Sequence, residues 1–301
     1  MVRKVIYGGL FFLALLLVFV LFKKNDTRIK IGHGGGYLSA ALYAAQDKYD
    51  ADIQQFRSSS DIAYALLSGQ LDAGFVEAEK LAAFAGIDGF DKLTVLGKVT
   101  YPYGATLILR KGLDVRLHEL NGLTVAVSSP KCVLLHKFEE DASRLEADIS
   151  GIMFKHVAFD GMVPALEAGV VDAAIIKGSY SVAALQANHS ILYQNWEMQP
   201  GDECCPAVIN QAELVLLARR NKSDAVKPFV DALLSAQRLP PDNLRRAVAN
   251  NTVIPFEILL GQPVPEFSEA DDELTLLFVR GTHEHGDEYH DDHDAESDEH
   301  E

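Results

Sequence analysis

Three cysteines and a scatter of histidines are the residues of this 301-residue chain best suited to hold a soft ion or meet a thiol-reactive compound. Cys132 is expected in the first turn of a helix, with His136 one turn later on the same face. A helix start there makes a thiol more reactive. Cys204 and Cys205 are adjacent. Thiolate and imidazole suit Cu(I) or Zn, and His33 is a further donor. In an oxidising compartment an odd cysteine count leaves one thiol free unless another chain or a metal takes it. There is no C-x-x-C spacing, so three outcomes stay open. Cys132, Cys204 or Cys205 with His33 or His136 forms a metal or thiol-reactive site; Cys132 pairs with one of the other two; or the thiols are simply buried. A Cys–His hydrolase would need an orienting Asp or Asn and an oxyanion motif. Neither is identifiable, so the chain is not read as an enzyme. No resident cofactor is required; Zn or Cu is the ion these donors would take.

Residues 282–301 hold ten Asp or Glu, five of the ten histidines and no Lys or Arg. So polar a segment cannot bury enough apolar surface to fold alone and is expected to be disordered. His283, His285, His290 and His293, set among carboxylates, either chelate Zn, Ni or Cu loosely or belong to a solvated acidic tail.

These residues must be positioned by an alternation of short apolar runs and helical stretches, which predicts an α/β architecture. Residues 29–33 read as a strand running into Gly34-Gly35-Gly36, and 37–48 as a helix with Leu38, Ala41, Leu42 and Ala45 on one face. Strands are expected at 52–56, 71–76, 93–99 and 106–110, with helices over 62–68 and 77–84. A second set follows: strands at 124–127, 153–157 and 173–176, with helices opened by Ser128-Ser129-Pro130 and by Asp160-Gly161-Met162. Residues 62–74 and 162–174 repeat one pattern: an apolar helix with Ala-Leu, a terminal Gly, then apolar-Asp-Ala on a new strand. Gly closes many helices on backbone grounds alone, but thirteen aligned positions, one set in each half, point to two similar lobes.

The stretch Ala65-Leu66 through Ser68-Gly69, Leu71-Asp72-Ala73-Gly74, the glycine loop after the first strand, and residues 120–127 resemble one family. It is the nitrate/sulfonate/taurine (thiamine-pyrimidine-like) substrate-binding proteins of ABC importers, over roughly residues 29–250. The resemblance implies a type II periplasmic binding protein: two lobes, a two-strand hinge, and closure on a small ligand. It places lobe 1 at 28–104 plus 206–281 and lobe 2 at 105–205. It implies an ABC permease and ATPase as partners, with reversible binding rather than bond-making as the mechanism. Two alternatives have the same fold: a Zn/Cu-handling protein using the cysteines and the tail, and a membrane-tethered ligand sensor.

Ligands of open α/β sheets bind at the carboxyl ends of strands, where helix starts present free N–H groups. Four such ends are expected to line the cleft: His33, Gly35, Gly36 and Tyr37; Ser58, Ser59 and Ser60; Ser129 and Cys132; Asp160, Gly161 and Met162. Cys204 and Cys205 would border the same cleft. Tyr101 and Tyr103 either stack on a planar ligand or pack the hinge, and Glu77 either meets a cationic group or simply suits a helix start. Only Arg57 lies near such an end, which weighs against a strongly anionic ligand.

The net charge of −16 is uneven. Setting aside the ten negative charges of 282–301 and the four positive ones of 1–24 leaves −10 on the body, which excludes a nucleic-acid partner. Residues 5–22 carry no charge and are flanked by Arg3-Lys4 and Lys23-Lys24. That is the short end of a membrane-spanning helix. With no small-x-small cleavage site, residues 1–24 are expected to be an uncleaved single-pass anchor, the alternative being a signal peptide cleaved at a poor site; in either case the body faces the periplasm or cell exterior.

Overall fold

Strands of four to eight residues, rich in Val, Ile, Leu and Ala, alternate along this chain with amphipathic helices. The inner strands of each sheet are buried between helical layers, whereas the outermost strands keep much of their length at least partly exposed. The computed structural model describes residues 28–102, 104–130, 132–196, 212–272 and 274–275. The expected anchor at 1–24 and tail at 282–301 lie outside them. Among the described residues, no helix is long and apolar enough to cross a membrane.

The first sheet contains β1 (Ile29–His33), β2 (Ala51–Gln55), β3 (Ala73–Glu77), β4 (Leu93–Thr100), β10 (Ala212–Arg219) and β11 (Glu266–Glu269) in the order β11-β4-β10-β3-β1-β2. The second contains β5 (Ala105–Leu109), β6 (Thr124–Val127), β7 (Met153–His156), β8 (Ala173–Ile176) and β9 (Ser190–Asn195) in the order β7-β6-β8-β5-β9. Each has a parallel trio (β2-β1-β3 and β7-β6-β8) followed by an antiparallel strand that arrives from the other sheet, β10 or β5.

Helices α1 (Ala40–Ala45) and α7 (Ser223–Gln237) pack on one face of the first sheet around Ile31, Phe75, Leu216 and Phe229. Helices α2 (Ser59–Leu67) and α3 (Leu81–Ala85) cover the other face around Ile62, Leu66, Val76 and Val215. In the second sheet α4 (Val133–Arg144) lies on one face, with Leu134 and Phe138 buried. On the opposite face are α5 (Phe159–Glu167) and α6 (Gly178–Gln186). Helices α8 (Pro241–Asn251) and α9 (Phe256–Leu260) complete the fold.

The internal repeat has a structural cause. Gly69 (φ 77°) and Gly169 (φ 67°) end α2 and α5 in the left-handed region, where a side chain would be strained. Three residues on, the repeated aspartates clamp three strands. The Asp72 N–H donates to the Lys30 carbonyl (2.9 Å), its carboxylate accepts the Lys30 N–H (3.1 Å), and its carbonyl accepts the Arg219 N–H (3.0 Å). Asp172 repeats this with Thr124 (2.8 and 3.1 Å) and Arg110 (2.8 Å). The Asp of each repeat therefore starts a strand rather than touching a ligand. Charge-assisted bonds of this kind contribute on the order of 1.5–3 kcal/mol each.

Three expected helices differ in detail. The one expected over 77–84 runs only over Leu81–Ala85, because Glu77 ends β3 and Ala78–Lys80 form a tight turn. The stretch 37–48 opens with a tight turn at Tyr37–Ser39, and α1 runs only over Ala40–Ala45. The helix expected from Ser128 begins at Val133, with Cys132 as its N-cap. Pro130 and the Cys132 N–H bond to the Ser129 carbonyl (3.0 Å) use those residues in a turn instead.

Candidate functional site

The topology brings one edge of each sheet face to face. β4 runs in the same direction as β3, so Thr100 ends on the edge where His33, Gln55 and Glu77 end. The chain then crosses and enters β5 at Ala105, on the edge where β8 ends at Ile176. The return leaves β9 at Asn195, opposite Ala105, and re-enters β10 beside Thr100. Both crossings thus join the carboxyl-end edges of the two parallel trios. That is the edge where open α/β sheets place ligands.

On the first edge, the His33 imidazole is turned inward and is only 4% exposed. Its Nδ1 accepts the Gly35 N–H (3.1 Å) and lies 3.3 Å from the Ser39 hydroxyl. Its ring packs edge-on against Tyr43. Burial lowers its pKa to about 4, so the ring is neutral at physiological pH. His33 therefore shapes the Gly34–Gly36 loop, and its Nδ1 is committed to that loop. Ser58 caps α2 by accepting the Asp61 N–H (3.1 Å) and donates to the Asp61 carboxylate (2.9 Å). This helix start already holds an anion of its own. The buried Ser59 hydroxyl accepts the Glu77 N–H (3.0 Å), tying the end of β3 to α2. The Glu77 carboxylate pairs with Lys80 at 2.6 Å. Ser60 and the Gly34–Gly36 backbone retain exposure at this edge.

On the second edge, Cys132 is 2% exposed within the apolar core under α4. His136, one turn on, is exposed and lies 3.3 Å from Glu139. The two expected ligands therefore occupy different environments, because a cap residue leaves the helix at an angle that the helical period does not describe. Met162 is fully buried in the core behind α5, whereas Asp160 and Gly161 remain accessible at its start and Ser129 is half-buried. Among the described residues, no group of three or more His, Cys, Asp and Glu is placed to hold a metal. Tyr103, Cys204, Cys205, His283, His285, His290 and His293 lie outside the described residues.

Tyr101 packs the floor between the edges. It is 2% exposed, edge-on to Tyr37 (6.2 Å) and to Trp196 (5.9 Å). A side chain on Gly178 would collide with the Tyr101 ring at 2.1 Å, so that position must be bare for α6 to approach. The Tyr101 hydroxyl donates to Gln262 Oε1 (3.4 Å), which also lies 2.8 Å from the Ser181 hydroxyl of α6. Arg245 donates to the Gln262 carbonyl (2.9 Å). Burial raises the pKa of both tyrosines; the Arg245 guanidinium partly offsets this at Tyr37. An apolar cluster of Tyr37, Tyr101, Val182, Leu244, Val248 and Leu259 joins α6 of one sheet to the helices of the other.

Solved structures share this arrangement, whereas no family model and no curated protein matches the chain. The periplasmic aliphatic sulphonate binding protein SsuA of Escherichia coli is 16% identical, with 86% of each chain covered and a TM-score of 0.54. An ABC transporter from Parabacteroides distasonis is 13% identical, covering 85% of this chain and 92% of its own, TM-score 0.53. The chain has the periplasmic-binding-protein fold. Within that fold, the alkanesulfonate-binding protein SsuA of Xanthomonas axonopodis pv. citri, solved with MOPS, is 17% identical (85% and 91% covered, TM-score 0.52). The ligand binding component of an ABC-type import system from Staphylococcus aureus, solved with zinc, is 13% identical (86% and 92% covered, TM-score 0.54).

One pair of residues in this binding-protein fold escaped the sequence reading. Lys177 follows β8 directly and Glu213 is the second residue of β10; their side chains, 9% and 10% exposed, meet across the two sheets at 3.3 Å. The Lys177 ammonium also lies 5.7 Å from the ring centres of Phe159 and Tyr180, which stack on one another. A signal for Lys177 was present: the repeat offset of one hundred residues maps Glu77 onto it. A separate cavity of about 740 Å³ opens at the opposite edge of the first sheet, lined by residues including Leu66, Asp88, Lys92 and Arg219, remote from this edge.

Proposed function

We propose that the chain is an extracytoplasmic solute-binding protein of an ABC importer. It captures a small solute between its two lobes by hinge closure and delivers it to a permease and its ATPase. The observation that carries this reading is the topology: both chain crossings join carboxyl-end edges, so two walls of loops and helix starts face each other across a pair of connections. The fold shared with the binding components of importers over about 85% of the chain supports it. In this reading residues 28–104 and 206–281 form one lobe and 105–205 the other. The apolar run 5–22 tethers the body outside the cytoplasm, where a solute would be met before import. Binding is reversible and no bond is made or broken.

The candidate contacts are the accessible groups at the facing edges, namely the Gly34–Gly36 backbone, Ser60, Ser129, Asp160 and Gly161, together with the largely buried Lys177–Glu213 pair between the walls. The test is calorimetry of the full chain against sulfonates, nitrate, pyrimidines, amino acids, Zn and Cu(I). The expected result is one-to-one saturable binding of one organic class. Binding of Zn or Cu(I) alone would assign the protein to metal handling instead; loss of that binding on deleting 282–301 would place it on the histidines. Saturation by none of these would refute solute capture.

A further inference from the structure

The Lys177–Glu213 pair sets the charge pattern of the site. Lys177 stands at the carboxyl end of β8 on one wall, and Glu213 stands where β10 re-enters the other. A register shift between Ala212 and Leu214 interrupts the pairing of β10 with β4 at Glu213 and turns this carboxylate out of the regular ladder. The ammonium is held by the faces of Phe159 and Tyr180, at the starts of α5 and α6. A fixed cation on one wall thus faces a fixed anion on the other at 3.3 Å, in a region nine-tenths removed from solvent.

Such a site discriminates by charge pattern. A singly negative solute entering between the walls is attracted by Lys177 and repelled by Glu213; a singly positive one meets the reverse. At a few ångströms, with little water between, each such interaction is far stronger than in bulk solvent. A solute carrying both charges can align so that both interactions are favourable. It replaces one cross-wall ion pair by two and leaves the net charge of the site unchanged. The lobe 1 helix start adds no anion preference, because Asp61 already occupies it.

We propose that the ligand is a small zwitterion, such as an amino acid, whose anionic group meets Lys177 and whose ammonium meets Glu213. Phe159 and Tyr180 offer it an apolar face. The proposal rests on the solute-binding reading above and names the solute class.

The experiment titrates the full chain with the twenty α-amino acids and the ω-amino acids from glycine to 6-aminohexanoate. Each is paired with its deaminated carboxylate and its decarboxylated amine. Heat and the fluorescence of Trp196, the one tryptophan of the chain, are read together. Trp196 packs against Tyr101 between the lobes, so its emission reports on their contact. At least one zwitterion is expected to bind more than about tenfold tighter than either of its fragments. Glu213→Gln should bring the matching carboxylate to within about threefold of the zwitterion, and Lys177→Met should do so for the amine, whereas Lys177→Arg keeps the original preference. Circular dichroism of each variant checks that it folds. A carboxylate or amine that binds wild type as tightly as its zwitterion overturns the proposal. So does saturation by a neutral or singly charged solute when no zwitterion binds, an outcome that leaves solute capture intact. If no organic solute of any class binds, solute capture itself falls with it.

Discussion

Replacing His33 by Asn should remove an acid sensitivity built into the first lobe. The His33 ring is buried, and its pKa falls from 6.5 to about 4 because the charged form loses its water. In the unfolded chain the same ring takes a proton as pH drops below about 6.5. Over the window from 6.5 down to about 4 the unfolded state therefore binds a proton that the folded state refuses. The contribution of this residue to stability is complete above pH 6.5 and is lost progressively as pH falls to about 4. Integrated over that window, the difference amounts to about 3 kcal/mol. Asn at position 33 preserves the loop, since its side-chain oxygen can accept the Gly35 N–H two residues on, as the His33 Nδ1 does. It loses the packing against Tyr43, which lowers stability by a similar amount at every pH. Urea unfolding followed by circular dichroism at intervals from pH 4 to 7.5 separates the two effects. The gap between wild type and His33→Asn should narrow toward low pH by about 3 kcal/mol. The buried His189, whose pKa is also lowered, is common to both proteins and cancels. A gap that stays constant within about 0.5 kcal/mol would refute the argument that burial holds His33 neutral.

Other outcomes follow from the same geometry. Asp172→Asn keeps the shape of the clamp but removes the charge that accepts the Thr124 N–H and pairs with Arg110 (3.2 Å). It should cost about 1–3 kcal/mol in urea unfolding, with Asp72→Asn costing a similar amount. Gly178→Ala drives a methyl group into the Tyr101 ring, and should lower the thermal midpoint and shift Trp196 emission to the red as α6 is pushed away. Cys132, 2% exposed in the core, should resist a thiol reagent in the native state and react in denaturant, read by mass spectrometry of its peptide. Rapid native labelling at Cys132 would place that thiol in an accessible cleft after all.

Much of the architecture was legible from local pattern. The strand–helix alternation as far as Ile176 and the thirteen-residue repeat reflect burial periodicity and helix-ending glycines, both local properties of the chain. The site was harder to read, because a residue type seen in sequence does not declare what its polar atoms are spent on. His33 and Ser59 have the chemistry of ligand contacts, but their acceptors are consumed by the Gly35 and Glu77 N–H groups. Cys132 looked like one end of a helical i, i+4 pair until its position as N-cap put it in the core and left His136 outside. Lys177 was missed even though it occupies the repeat position of Glu77. Its importance comes from Glu213, a partner thirty-six residues later that only the antiparallel return of β10 brings into range. The hinge cluster around Tyr101, Gln262 and Ser181 likewise joins segments that no local pattern connects.

The central claim is that two facing walls close on a small solute. Small-angle scattering of the full chain, recorded while titrating the solute that saturates it in calorimetry, tests that claim directly. The account predicts that the radius of gyration falls along the same saturation curve, as hinge closure requires. A radius that stays unchanged through saturation would contradict it.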